Sequence, residues 1–343
     1  MRVGDVSETD LIARIQACLP PAPDWLIAGI GDDAAIVEPE RNQVEVLSVD
    51  ALVEGVHFHR AFVPPRAIGY RALAVNLSDL AAMGAAPRLA LLSLALPPDL
   101  RLEDFDEAIA GLTGLAASYR VHLAGGNITR SPGPLMIDVT VAGGVKRRQA
   151  LLRRGARAGD EVYVSGTIGA AGAGLQVLRG RPAGSGPPAS LAPAGTDRCI
   201  ERYLYPEPRV RLGVLLARNR AATSCIDLSD GLADGVRRLA EASGVGVAID
   251  AAALPIDPAA RAWFAGANLD PVTAALTVGD DYELLFTVPP RAGGRLAAAR
   301  RHSGIPLTRI GRCTAERHLV LRRADGTAAR DTPLPEAGYH HFR

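Results

Sequence analysis

The stretch Ser224-Cys225-Ile226-Asp227-Leu228-Ser229-Asp230-Gly231-Leu232 reads as a short apolar strand, a polar turn and the opening of a helix. The strand is expected over Ser224 to Asp227 and the helix over Gly231 to Ser243. A strand that feeds a helix through so short a turn belongs to layered α/β or α+β architecture, because both elements must bury one face against the other. Outward from this unit the same grammar continues. Val245 to Ile249, Tyr282 to Val288, Leu307 to Ile310 and Leu319 to Leu321 read as further strands. Upstream, the turn-rich Gly155-Ala156-Arg157-Ala158-Gly159-Asp160 precedes a strand at Glu161 to Ser165. Gly180 to Gly195 is dense in Gly, Pro, Ala and Ser and is expected to be a loop or a mobile insertion.

The first half has its own set of elements. Leu11, Ile12, Ile15 and Leu19 recur at helical spacing after Ser7, and Pro20-Pro21 ends that helix. Leu26 to Ile30 is a short apolar run leading into Gly31-Asp32-Asp33, and Val44 to Val49 reads as a buried strand ending at Asp50. Helices are expected over Ala67 to Met83, closed by Gly84, and over Leu102 to Tyr119. Strands are expected over Arg88 to Leu96, Val121 to Ala124 and Leu135 to Val145. At 343 residues the length suits two domains, placed at 1–148 and 149–343.

Composition narrows the function classes. Lys plus Arg (38) nearly balances Asp plus Glu (37), so no basic excess attracts nucleic acid. Cys18, Cys199, Cys225 and Cys313 are far apart and form no C-x-x-C, which suits a reducing compartment. The polar N-terminus lacks the apolar core of a signal peptide, and the longest apolar runs are too short to span a bilayer. A cytoplasmic protein without membrane attachment is expected.

The acids carry the chemistry. Asp33, Asp50, Asp79, Asp227 and Asp230 lie at or beside the ends of expected elements, several next to glycine. Few Lys or Arg neighbour these motifs in sequence, and a buried carboxylate needs a positive partner. Mg2+ is one such partner, being held by a few carboxylates together with substrate phosphates. Each Asp read singly is more simply explained as a turn or helix-cap residue, an explanation that suits five together less well. Gly125-Gly126-Asn127 follows an expected strand, and paired glycines allow backbone N–H groups to approach a phosphate; the alternative is a plain turn. Ser229 or Asp230 either caps the helix or faces a phosphate at its N-terminus. His57, a single histidine beside the Asp50 strand, is by itself more simply structural. The chain has no G-x-x-x-x-G-K-[ST] and no G-x-S-x-G, so nucleotide chemistry here requires a different phosphate cradle.

Taken together, the motifs resemble the thiamine-monophosphate kinase family over nearly the full length. The matching stretches are Gly31-Asp32-Asp33-Ala34-Ala35, the run from Asp50 to Phe58, the run from Ala72 to Ala85, Gly125-Gly126-Asn127, Ile226 to Leu232, Asp280-Asp281-Tyr282-Glu283-Leu284 and Gly338-Tyr339-His340-His341-Phe342. The resemblance implies a two-domain fold like that of aminoimidazole ribonucleotide synthetase, with an N-terminal sheet that pairs across a homodimer. It implies ATP in a cleft between sheets with several Mg2+ ions on its phosphates, and thiamine monophosphate as the phosphoryl acceptor. Carried over by position, Asp33, Ser48, Asp50, Asp79, Asn127, Asp227 and Asp230 match metal ligands, with Asp227 and Asp230 the catalytic pair. Gly126, Asn127, Arg153 and Ser229 match ATP contacts. His57, Asp280 and Tyr339 match substrate contacts, Glu336 being an alternative to Tyr339. The chain departs from the family pattern in having Asn127 for an acid, Val49 for a Thr and Asp280 for a Glu.

Rival expectations are another synthetase of that superfamily, a regulator that binds nucleotide without turnover, or a metal-dependent phosphohydrolase. Selenophosphate synthetase would need a reactive Cys in a Gly/Cys-rich loop, whereas Cys18 sits in a helical apolar pattern; the hydrogenase maturation protein carries a C-terminal Cys, whereas this chain ends His341-Phe342-Arg343.

Overall fold

A computed structural model describes residues 1–180, 195–325 and 328–336. Tyr339, with the rest of the C-terminal motif, and most of the expected Gly180–Gly195 loop lie outside those residues. The chain divides into two compact units: the first comprises Met1–Leu80 and Ala86–Arg147, the second Ala81–Ala85 and most of the chain from Arg148 on.

The first unit contains α1 (Glu8–Ala17), β1 (Leu26–Ala28), β2 (Ile36–Val37), β3 (Val44–Val53), α2 (Pro65–Ala82), β4 (Ala86–Leu96), α3 (Leu102–Tyr119), β5 (His122–Arg130) and β6 (Met136–Val145). Helix α1 starts where Ser7 and Asp10 cap one another's backbone N–H groups. The main sheet runs β3-β6-β4-β5. Only β4 and β5 are parallel, and α3 is the crossover between them. Helices α2 and α3 cover the face that presents Leu92, Leu94, Leu96 and Ile137. They approach so closely that a Cβ on Gly69 would lie 1.7 Å from the Ala108 carbonyl oxygen, and one on Gly111 1.9 Å from that of Arg66. On the opposite face the β1–β2 hairpin covers only the end formed by Leu89 and Ala142. The remainder is open, with Leu47 67 % and Val49 57 % exposed.

Two expectations are corrected here. Val44 to Val49 is not a buried strand: β3 is an edge strand running on to Val53, with alternate residues in solvent. Gly125-Gly126-Asn127 is not a loop or turn either. It lies inside β5, paired with Leu91, Leu92 and Ser93 just past a bulge.

The second unit contains β7 (Glu161–Ser165), α4 (Ala170–Arg179), α5 (Thr196–Leu204), α6 (Val210–Arg218), β8 (Ser224–Asp227), α7 (Leu232–Ser243), β9 (Gly246–Asp250), α8 (Pro258–Gly266), α9 (Pro271–Thr277), β10 (Leu284–Val288), α10 (Gly293–Ser303), β11 (Leu307–Thr314), β12 (Leu319–Asp325) and β13 (Ala328–Pro333). Its seven strands are ordered β13-β12-β9-β11-β7-β10-β8, antiparallel except for β9 with β12. The core is formed by Val162, Val164, Ile226, Ile249, Leu285 and Ile310 of the sheet against Leu232, Val236, Leu239, Phe264 and Leu276 of the helices. This is α+β layering, with β8 at the sheet edge delivering the chain to α7.

Candidate functional site

The first unit gathers three of the expected residues. Ser48 and Asp50 alternate onto the β3 face that α2 covers, and the Ser48 hydroxyl donates to Asp79 of α2 at 2.5 Å. Asp33 is exposed in the turn between β1 and β2, its N–H bonded to the Asp32 carboxylate. Asn127 stands apart from this group. Its cross-strand partner is Ser93, whereas Asp50 shares a transverse row with Val139, Leu92 and Gly126. With β6 and β4 between β3 and β5, the strands of Asp50 and Asn127 are roughly 14 Å apart at the usual strand spacing. Gly126 has no room for a side chain, since a Cβ would lie 1.9 Å from the Leu92 carbonyl oxygen. His57 is half-buried, and its Nδ1 accepts from the Val53 N–H at 3.0 Å. A neutral His57 ring therefore carries its proton on Nε2.

The second unit builds a tighter constellation around the end of β8. Asp227 is buried and in register with Leu284 of β10. Beyond the strands the backbone pairing goes on: the Leu228 N–H donates to the Glu283 carbonyl at 2.9 Å, the Tyr282 N–H to the Leu228 carbonyl at 2.9 Å, and the Asp280 N–H to the Ser229 carbonyl at 2.7 Å. Asp280 and Tyr282 both sit in the left-handed region, at φ 67° and 49°, a conformation that costs non-glycine residues of order 1–3 kcal/mol each. The Tyr282 hydroxyl donates to the Asp280 carboxylate at 3.2 Å. Gly231 occupies the N-cap of α7 at φ 104° with no side-chain cap. Neither Ser229 nor Asp230 is therefore the cap, which disposes of the simplest structural role for both. Arg153 is exposed on the segment alongside β8, where the Cys225 N–H donates to the Leu152 carbonyl.

The scarcity of cationic neighbours in the sequence does not hold in space for Asp230. Arg238, two turns along α7, contacts its carboxylate at 3.2 Å and that of Asp234 at 2.5 Å. Among the described residues no group of three or more His, Cys, Asp or Glu side chains is disposed to hold a metal. The three buried thiols are poor nucleophiles: burial pushes Cys199 up to about 11 and Cys313 up to about 12, and raises Cys225 as well.

The sequence did not disclose the polar network behind this site. Glu283 is fully buried and accepts from Ser165 Oγ, from Arg202 and twice from Arg209. Asp281, also buried, accepts from the Gly169 N–H at 2.7 Å at the N-terminus of α4. Their partners lie some 70 to 120 positions away in the chain, and no spacing rule reaches that far. Desolvation pushes the Asp281 carboxyl up to about 7, against the opposing pull of the Gly169 N–H and Arg202. Between pH 4 and 7 the native state then holds a proton that the unfolded chain has released, so this residue's contribution to stability falls as pH rises. Relative to Asp281→Asn, the wild type should lose about 2–3 kcal/mol between pH 5 and 8 in urea titrations. A pH-independent difference between the two would contradict this assignment.

Residues 31–145 match the family described as AIR synthase related protein, N-terminal domain, and residues 157–323 match AIR synthase related protein, C-terminal domain. The thiamine-monophosphate kinase of Escherichia coli K12 is 40 % identical over 320 residues, 92 % of this chain and 91 % of that protein. The Synechococcus elongatus enzyme of the same name is 36 % identical, with 99 % and 98 % coverage. A crystal structure of thiamine-monophosphate kinase from Stenotrophomonas maltophilia K279a superposes with a TM-score of 0.81 at 39 % identity, covering 92 % of this chain and 96 % of that one. AaThiL complexed with AMPPCP and TMP gives 0.76 at 31 % identity, covering 100 % and 99 %. The hydrogenase maturation protein HypE of E. coli shares the fold at 21 % identity, with a TM-score of 0.76 over 96 % of this chain and 98 % of that one.

Proposed function

The chain belongs to the thiamine-monophosphate kinase family, built on the two domains of the AIR synthase related proteins, and from that membership we infer that it transfers the γ-phosphoryl group of ATP to thiamine monophosphate, giving thiamine diphosphate. The observation that carries this reading is that the likeness runs through both domains and nearly the whole chain, at 36 % identity over 99 % of it for one relative.

The reaction proposed is in-line attack by a phosphate oxygen of thiamine monophosphate on the γ-phosphorus of ATP. A phosphate monoester with a second pKa of about 6 is already largely dianionic at neutral pH, so the acceptor needs no general base. The protein's work is to bring two anions together and hold them in line. Asp33, Ser48, Asp50, Asp79 and Asn127 in the first unit, and Asp227 and Asp230 in the second, are the residues that would hold several Mg2+ ions. When bound, those ions would offset charge on the transferring phosphates. Gly126, Asn127, Arg153 and Ser229 would contact ATP. The uncapped N-terminus of α7 supports an anion beside Ser229. His57, Asp280 and Tyr339 would contact thiamine monophosphate.

The test is direct. The purified protein with ATP, Mg2+ and thiamine monophosphate should form ADP and thiamine diphosphate in equal amounts, and EDTA should abolish both. Tight Mg-ATP binding without any diphosphate product would overturn the reading.

A homodimer and a cytoplasmic location belong to the same proposal. Free cysteines support the location, and no helix among the described residues is long and apolar enough to cross a membrane; cell fractionation would check the compartment. The open face of the first sheet, with Leu47, Val49, Leu91 and Met136 all exposed, supports a second copy packed there. Leu47→Glu with Val49→Glu should convert the dimer to monomer in sedimentation experiments. A dimer unmoved by both charges would place the interface elsewhere.

A further inference from the structure

The loop from Gly279 to Glu283 is held from two sides by different means. Toward β8 it is held by main chain, through the bonds from Asp280 and Tyr282 to Ser229 and Leu228. On its other side it is held by charge: Glu283 takes Arg209 at 2.5 and 2.7 Å, Arg202 at 2.8 Å and Ser165 Oγ at 2.5 Å, while Asp281 sits on the first turn of α4. Residues 281 and 283 thus anchor the loop inward. Residues 280 and 282, the two in left-handed backbone, bond to one another through the tyrosine hydroxyl. A cationic pair around one fully buried carboxylate is an expensive arrangement for stability alone, since well-packed apolar side chains do as well or better. Gly166 marks how closely it is built, because a Cβ there would lie 2.2 Å from Glu283 Oε1.

We propose that Glu283, clamped by Arg209 and Arg202, is a positioning residue for the acceptor site: it holds the strained Asp280–Tyr282 pair in place against Ser229, so that Asp280 meets thiamine monophosphate. The proposal rests on the reading of Asp280 as a substrate contact. Glu283 itself touches no substrate. It acts by removing the freedom of a loop whose preferred backbone conformation is a different one. The role belongs to acceptor binding rather than nucleotide binding, so the two KM values should separate.

The test is a double-mutant cycle on the full-length enzyme with ATP, Mg2+ and thiamine monophosphate. Glu283→Gln keeps the shape and one acceptor oxygen but loses the charge that fixes both arginines. It should raise KM for thiamine monophosphate about tenfold with KM for ATP little changed. Asp280→Ala should raise the same KM at least as much, and the double variant should be no worse than Asp280→Ala alone, the mark of two residues acting as one unit. Should Glu283→Gln fail to fold, Ser165→Ala, which removes one bond to Glu283 and one to the Leu284 N–H, should show the same pattern at smaller size. With Asp280→Ala impaired, a wild-type KM in the Glu283 and Ser165 variants, or additive losses in the double, would overturn the positioning role. A wild-type KM in Asp280→Ala would instead overturn the substrate-contact reading beneath it, and the proposal with it.

Discussion

Replacing Asp227 with asparagine is expected to lower kcat by roughly 100-fold or more while the protein stays folded, and Asp230→Asn to do the same. The fold should survive because asparagine keeps the size of each side chain and one of its two oxygens. Asp227 is held by the β8–β10 ladder and by the bond from Leu228 to Glu283, which involve main chain only. Asp230 pairs with Arg238, but that arginine is 42 % exposed and keeps Asp234 when Asp230 is neutralised. A pair so exposed is worth at most about 1 kcal/mol. The loss should therefore fall on turnover and on the Mg2+ dependence, with unchanged far-UV circular dichroism. Near-normal turnover in either variant would remove that residue from the metal-binding set.

Gly126→Ala should be nearly as damaging by another route. The added methyl would lie 1.9 Å from the carbonyl oxygen and 2.8 Å from the carbonyl carbon of Leu92, both backbone atoms of the neighbouring strand. No rotamer relieves that contact, so β5 must part from β4. We expect a stability loss of about 1–3 kcal/mol and an ATP affinity weakened about tenfold or more, since the N–H groups offered to phosphate move with the strand. Gly125→Ala is the control, because its Cβ would meet only the end of the Leu91 side chain at 3.3 Å. Equal effects at both positions in calorimetric ATP titrations would show that the local space is not what matters.

These residues also mark what a reader of the sequence can and cannot see. Helix α3 and strands β7 and β8 fall where their apolar patterns end, because each is closed by an unambiguous signal such as the prolines and turn residues that flank it. Helix α4 carries no such pattern. Its composition of Ala and Gly is set by neighbours: a Cβ on Gly174 would lie 2.1 Å from the Cys199 carbonyl oxygen, and one on Gly172 2.3 Å from Val278. Close packing of that kind erases the helical signal it depends on. Gly125-Gly126-Asn127 misleads for a related reason, since glycines that permit two strands to approach look, in one dimension, like glycines that permit a turn. The acids of the site were visible singly, while their company was not. That Arg238 reaches Asp230, or that Arg209 reaches Glu283, follows from tertiary placement alone.

The open face of the first sheet has a consequence for how the protein survives in dilute solution. If a second copy covers Leu47, Val49, Leu91 and Met136, folding and association are one mass-action equilibrium, and stability becomes a property of concentration as much as of sequence. Melting temperature should then climb with protein concentration, and a chain kept scarce in the cell would stand nearer its unfolding threshold than the same chain made in abundance.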